Sequence, residues 1–114
     1  MLVAEGDPLI AMDIAETISG SGFEVVGPAG SVTRALALIE RTRCDVAILD
    51  ATLKNETAEP VARRLMTSNI PFVIVSGYSR AQLPATLRDA PLIGKPLTPE
   101  LLVAEIKRCV DIRQ

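Results

Sequence analysis

Asp45-Val46-Ala47-Ile48-Leu49-Asp50 decides the fold. Its apolar centre has no helical spacing and is bounded by charge on both sides. That is the pattern of a strand buried on both faces, as in a parallel sheet covered by helices. A carboxylate ends it. In open sheets with helices on both faces, reactive groups gather beyond the carboxyl ends of the strands, which is where Asp50 stands. Asp is also a common opener of turns, and Asp50-Ala51-Thr52-Leu53 reads as a turn too, so the other strand ends must decide.

Outward from this strand, helix and strand alternate. Upstream, Met1-Leu2-Val3-Ala4 is a first buried strand that stops at Glu5-Gly6-Asp7. Asp7-Pro8 opens a helix, with Asp at the N-cap and Pro at the first helical position. Ile10, Ile14 and Ile18 give that helix one apolar face, and Gly20-Ser21-Gly22 end it. Phe23-Glu24-Val25-Val26-Gly27 is the second strand, closed by Pro28 and Gly30. Ser31 caps a second helix whose inner face carries Ala35, Leu36 and Ile39. Arg41-Thr42-Arg43 reads as its solvated end, where cations complement the helix dipole, rather than as an anion site.

Downstream, Thr52-Leu53-Lys54-Asn55-Glu56 reads as a polar loop, and Pro60 lies in the first turn of a third helix with Val61, Leu65 and Met66 facing inward. Pro71-Phe72-Val73-Ile74-Val75 is the fourth strand and runs into Ser76-Gly77-Tyr78. From Ser79 to Ala90 periodicity fades and Pro84 interrupts, so a short or mobile element is expected. Pro91-Leu92-Ile93-Gly94 is the fifth strand, followed by Lys95-Pro96. Thr98-Pro99 starts a last helix with Leu102, Ile106 and Cys109 inward. Strict alternation of strand and helix argues for an α/β fold, a parallel sheet with helices on both faces.

At 114 residues the chain is of single-domain length, and it can bury roughly two-thirds of its unfolded surface without metal or disulfide support. A net charge of -2 and a pI near 5.1 leave no electrostatic footprint for nucleic acid. There is no histidine, and Cys44 and Cys109 have no CxxC neighbours. A Cys/His zinc site and a histidine-based triad are thereby excluded. Free thiols suit a reducing compartment. No apolar run reaches membrane-spanning length and the N-terminus lacks a signal pattern. The expectation is a cytoplasmic protein with neither nucleic acid nor membrane as partner.

The residues just past the strands then gain weight. Glu5, Gly6 and Asp7 follow the first, Asp50 ends the third, Ser76 follows the fourth and Lys95 the fifth. With the third strand central and the first, fourth and fifth around it, these groups share one edge. An Asp can form an aspartyl-phosphate as nucleophile, and phosphoryl transfer needs cations against the charge on the transferred oxygens. Mg²⁺ held by one or two carboxylates and Lys95 would provide them, with Ser76 donating to a phosphoryl oxygen.

These matches give the chain, over its whole length, a resemblance to the receiver domains of bacterial two-component response regulators. The resemblance implies a flavodoxin-like (βα)5 fold with sheet order 2-1-3-4-5, Asp50 as phosphoacceptor, Ser76 as switch hydroxyl and Lys95 as the family's lysine. It also implies a metal ligand in the backbone carbonyl of Thr52 and a cis Lys95–Pro96 bond. Pro71-Phe72 followed by Ser76-Gly77-Tyr78 resembles a subgroup with a Pro-Phe…Thr-Gly-Tyr signature and a reduced fourth helix. Two positions depart from the pattern. The family carries two adjacent acids after the first strand, of which the second binds Mg²⁺ directly, and here they are Glu5 and Gly6. Asp7 has two readings, an N-cap before Pro8 or a substitute metal carboxylate. The resulting metal set is Glu5, Asp50, the Thr52 carbonyl and Asp7, with weakened Mg²⁺ binding and, from fewer like charges, easier ionisation of Asp50. Leu92 stands where the family commonly has an aromatic switch residue, so a rotating ring coupled to Ser76 is not expected.

The implied function is phosphorelay signalling. Residues 1–114 form one receiver domain without an output domain. A sensor histidine kinase phosphorylates Asp50, and a downstream protein partner or phosphotransfer protein reads the change. The chain is then a monomer or weak homodimer and not an enzyme, beyond phosphorylating itself from small donors and dephosphorylating itself. The alternative is a pseudo-receiver, a binding module independent of phosphorylation. A phosphatase using Asp50 as nucleophile would need a general acid that Ala51-Thr52 do not offer.

Overall fold

Five apolar segments pair into one parallel sheet, which satisfies their backbone groups while both faces are buried. They are β1 (Leu2–Ala4), β2 (Val26–Ala29), β3 (Ala47–Asp50), β6 (Phe72–Ser76) and β7 (Leu92–Gly94), in the order β2-β1-β3-β6-β7. Counted among the sheet strands alone, that is 2-1-3-4-5. The structure is a computed structural model and describes residues 1–95 and 98–113. The expected cis bond at Lys95–Pro96 lies outside the described residues.

Side chains alternate across each strand and so sort the core into two layers. Leu2, Ala47, Leu49, Phe72 and Ile74 face α2 (Val32–Arg41) and α3 (Glu59–Thr67), meeting Ala35, Ile39, Val61 and Leu65. Val3, Val46, Ile48, Val73 and Val75 face α1 (Pro8–Gly20) and α5 (Pro99–Arg113), meeting Ile14, Ile18, Leu102 and Ile106. Each fully buried Leu or Ile contributes about 1.5–3 kcal/mol of transfer free energy. This three-layer arrangement is the doubly wound α/β architecture expected from the alternation.

Several local expectations are corrected. The second strand lies at Val26–Ala29 rather than 23–27. Leu2 pairs with Val26 and Ala4 with Ala29, so β2 carries an extra residue against β1. As an edge strand it tolerates Pro28, whose missing N–H costs no ladder bond there. Gly27 adopts φ +100°, and a Cβ on it would lie 2.8 Å from the Ala29 amide nitrogen, so this bend requires glycine.

Met66, expected inward, is exposed, and Val61, Ala62 and Leu65 form the buried face of α3. A residue directly after Leu65 is rotated about 100° around the helix axis, which carries it off that face. Leu36 is only partly buried, while Val32 joins Ala35 and Ile39 inside. The segment read as a polar loop contains a small antiparallel ladder, β4 (Thr52–Leu53) with β5 (Glu56–Thr57), whose Leu53 is fully buried. The weak fourth helix is a 3₁₀ turn at Arg80–Gln82 followed by α4, a single turn at Ala85–Arg88.

Candidate functional site

Parallel pairing brings the ends of β1, β3, β6 and β7 to one edge. Asp50 lies opposite Val75 and Ser76 opposite Gly94. The ladder continues past the strands: Ala51 donates to the Val75 carbonyl at 3.0 Å and Lys95 to the Ser76 carbonyl at 2.9 Å. Lys95 is therefore fixed at the mouth of β7, and its side chain reaches back across the edge. Its Nζ lies 3.0 Å from Glu5 Oε1 and 3.2 Å from Asp50 Oδ2.

Among the described residues the buried polar side chains are Glu5, Asp50 and Ser76, at 2%, 8% and 2% exposure. All three stand at this edge. Isolated buried charges are costly, and a purely structural core has no need to collect them in one place. Glu5 Oε2 accepts the Asp7 amide at 3.1 Å, and Asp50 Oδ1 accepts the Thr52 amide at 3.3 Å. Ser76 Oγ accepts the Tyr78 amide at 2.9 Å, which leaves its hydroxyl proton available to donate. Tyr78 itself is exposed, and Leu92 is packed against the α2–α3 side of the core.

Burial and then the neighbouring Glu5 carboxyl push Asp50 up to about 7, against the opposing pull of Lys95. Burial also acts to raise Glu5, but its hydrogen bonds with Asp50 and the Asp7 amide, together with Lys95, hold it below the usual range. Burial acts to lower Lys95, and the two carboxylates outweigh it and raise it. The acid missing at Gly6 was expected to make ionisation of Asp50 easier, yet burial and Glu5 still hold its carboxyl high. One acid is absent at Gly6, but Glu5 remains in contact, and the two carboxyls titrate as a pair.

Asp7 resolves towards its capping role: Oδ1 accepts the amides of Leu9 at 2.9 Å and Ile10 at 3.4 Å. Its carboxylate is engaged by α1. For a divalent cation the edge therefore offers two carboxylates, Glu5 and Asp50, both already held by Lys95. Among the described residues no group of three or more acidic, His or Cys side chains could hold a metal. Glu5 Oε1 is buried, and its contact at this edge is the ion pair with Lys95. Two carboxylates with retained waters suffice for Mg²⁺, so the donor set fits a weakly held ion.

Sequence reasoning missed Lys54. The β4–β5 ladder turns through Lys54 and Asn55, both left-handed at φ 46° and 66°. This turn brings the Lys54 amide nitrogen within 3.3 Å of where a Cβ on Gly6 would stand. The available signal was Asn55, two residues after the apolar Leu53, since Asn is enriched in left-handed turns.

No family model matches the chain. Among curated proteins it is 31% identical over 115 residues to the transcriptional regulatory protein PdtaR of Mycobacterium tuberculosis, covering 97% of this chain and 56% of that one. Among solved structures, the response regulator PhyR of Brucella abortus superposes with a TM-score of 0.86 at 28% identity, covering 98% of this chain and 47% of that one. SdrG of Sphingomonas melonis gives 0.82 at 35% identity, covering 96% and 92%. The chain spans about half the length of the curated relatives it matches, 56% and 44% of the two distinct proteins.

Proposed function

Because this chain belongs to the response-regulator receiver domains, we propose that it takes a phosphoryl group on Asp50 from a sensor histidine kinase and passes the signal to a protein partner or phosphotransfer protein. The observation that carries this reading is the contact of Glu5, Asp50 and Lys95 at one sheet edge, with Ser76 buried beside them. In the reaction a bond forms between an Asp50 carboxylate oxygen and phosphorus as the phosphorus–nitrogen bond of a phosphohistidine breaks. The ionised form of Asp50 is the nucleophile.

Lys95 holds that carboxylate beforehand and exchanges the contact for the new phosphoryl oxygens. The Ser76 hydroxyl donates to the same group, and movement of Ser76 is transmitted through Gly77 to the Tyr78 amide it now binds. Glu5, Asp50 and the Thr52 carbonyl would hold Mg²⁺, and with so few carboxylates they would hold it weakly. When bound it supplies positive charge against the phosphoryl oxygens. The added charge of about -2 then biases the surface around α4, β7 and α5 towards its partner.

The test is intact mass after incubation with phosphoramidate, with and without Mg²⁺, alongside Asp50→Asn. One phosphoryl adduct, absent from Asp50→Asn, is the expected result. Folded protein without an adduct under either condition overturns the reading and leaves a binding module independent of phosphorylation.

A further inference from the structure

We propose that Lys54 is a second phosphoryl-neutralising cation, which lets Asp50 be phosphorylated without bound Mg²⁺. The inference rests on Asp50 being the phosphoacceptor and goes beyond it in naming what compensates for the poor metal site.

Three observations carry it. The first is the deficit at Gly6: the edge has two carboxylates where Asp7 is spent on α1 and Gly6 offers none. The second is placement. The β4–β5 turn sets the backbone of Lys54 against Gly6, and its Cε lies 3.8 Å from where a Cβ on Gly30 would stand. Gly6 thus admits the backbone of this turn, and Gly30 leaves room for the end of the aliphatic chain. Lys54 lines one groove of about 470 Å³ together with Glu5, Gly6 and Gly30. The third is availability. Lys95 is committed to Glu5 and Asp50, whereas the Lys54 ammonium makes no ion pair or hydrogen bond among the described residues.

The charges at the edge point the same way. Replacing an acid by Gly6 and placing a cation next to it both weaken a divalent ion and both favour a dianion. With Glu5 ionised, Lys95 alone would leave the phosphorylated site with an excess of about two negative charges, given about -2 on the phosphoryl group. Lys54 halves that excess. Lys54 is exposed, and rotation about its four-carbon stem would carry the ammonium towards the phosphoryl oxygens once they are present.

The experiment measures phosphorylation rates by intact mass with phosphoramidate, in EDTA and in saturating Mg²⁺, for the unmodified chain, Lys54→Asn and Lys54→Arg. Asn removes the charge yet tolerates the left-handed backbone, and Arg keeps the charge. Calorimetric titration with Mg²⁺ provides a readout independent of phosphorylation. The unmodified chain should react in EDTA, Lys54→Asn should lose about tenfold there, and Lys54→Arg should retain the rate. Lys54→Asn should also bind Mg²⁺ more tightly. Reaction that requires Mg²⁺ in the unmodified chain, or an EDTA rate unchanged in Lys54→Asn, overturns the role of Lys54 while leaving Asp50 as acceptor. No adduct in either condition removes both.

Discussion

Asp50→Asn should make this protein more stable, and increasingly so as pH rises. Asparagine keeps the shape of the side chain, and its oxygen can still accept the Thr52 amide that now binds Oδ1. What it removes is an ionisation that the fold opposes. A carboxyl with an ordinary value of 3.8 titrates at about 7 in the folded chain, chiefly through burial and then Glu5. The folded value lies above the unfolded one, so between these limits the folded state holds a proton that the unfolded state has lost. Stability therefore falls as pH rises through that window, and the full cost is present above it.

At 1.36 kcal/mol per pH unit the ceiling is about 4 kcal/mol. Glu5 is held low in the same cluster and Lys95 is raised, and both oppose the loss because the groups titrate together. A gain of about 1–3 kcal/mol at pH 8.5 remains, shrinking to a fraction of that near pH 4.5. Urea unfolding at the two pH values measures it, read as a shift in midpoint at constant slope. A variant less stable than the parent at pH 8.5, or a gain that does not depend on pH, would refute the electrostatic reasoning.

Other residues give independent checks. Lys95→Met leaves Glu5 and Asp50 facing each other without a cation. With the lysine side chain a quarter exposed, the expected cost at pH 8 is about 1–3 kcal/mol by urea unfolding, largely recovered when Asp50→Asn is added. Asp7→Ala removes the cap of α1 and should cost about 1 kcal/mol of stability while leaving Mg²⁺ titration unchanged; a lost Mg²⁺ response would assign Asp7 to the metal instead. Leu65→Ala should cost about 2–5 kcal/mol, and Met66→Ala, on the exposed side of α3, about 0.5 or less in the same assay.

The sheet and its edge could be read from sequence because both depend on short-range patterns. Runs such as Val46-Ala47-Ile48-Leu49 and Phe72-Val73-Ile74-Val75 are apolar at every position, as strands covered on both faces must be. Their alternation with capped helices restricts the topology severely. Asp7-Pro8 and Ser31 marked the helix starts well, since a cap is a local hydrogen bond; Ser31 accepts the Arg34 amide at 3.2 Å.

What escaped depends on contacts between segments. Pro28 looked like the end of a strand, and only the edge position of β2 makes it compatible with one. Apolar character alone placed Met66 inward, whereas its angle to Leu65 turns it out. How strongly the fold opposes ionisation of Asp50 was not legible, because it depends on burial and on Glu5, 45 residues away in sequence. Lys54 lay hidden in a polar stretch until its turn was seen to fold back on Gly6.

The central claim is that Asp50 receives the phosphoryl group, and mapping the modification tests it most directly. After phosphoramidate treatment, borohydride reduces an acyl phosphate to an alcohol, so an aspartyl-phosphate becomes homoserine and can be located by peptide fragmentation. The account predicts homoserine at position 50 alone. Reduction at Glu5 or elsewhere, or an unmodified Asp50 in protein that carries the adduct, would contradict it.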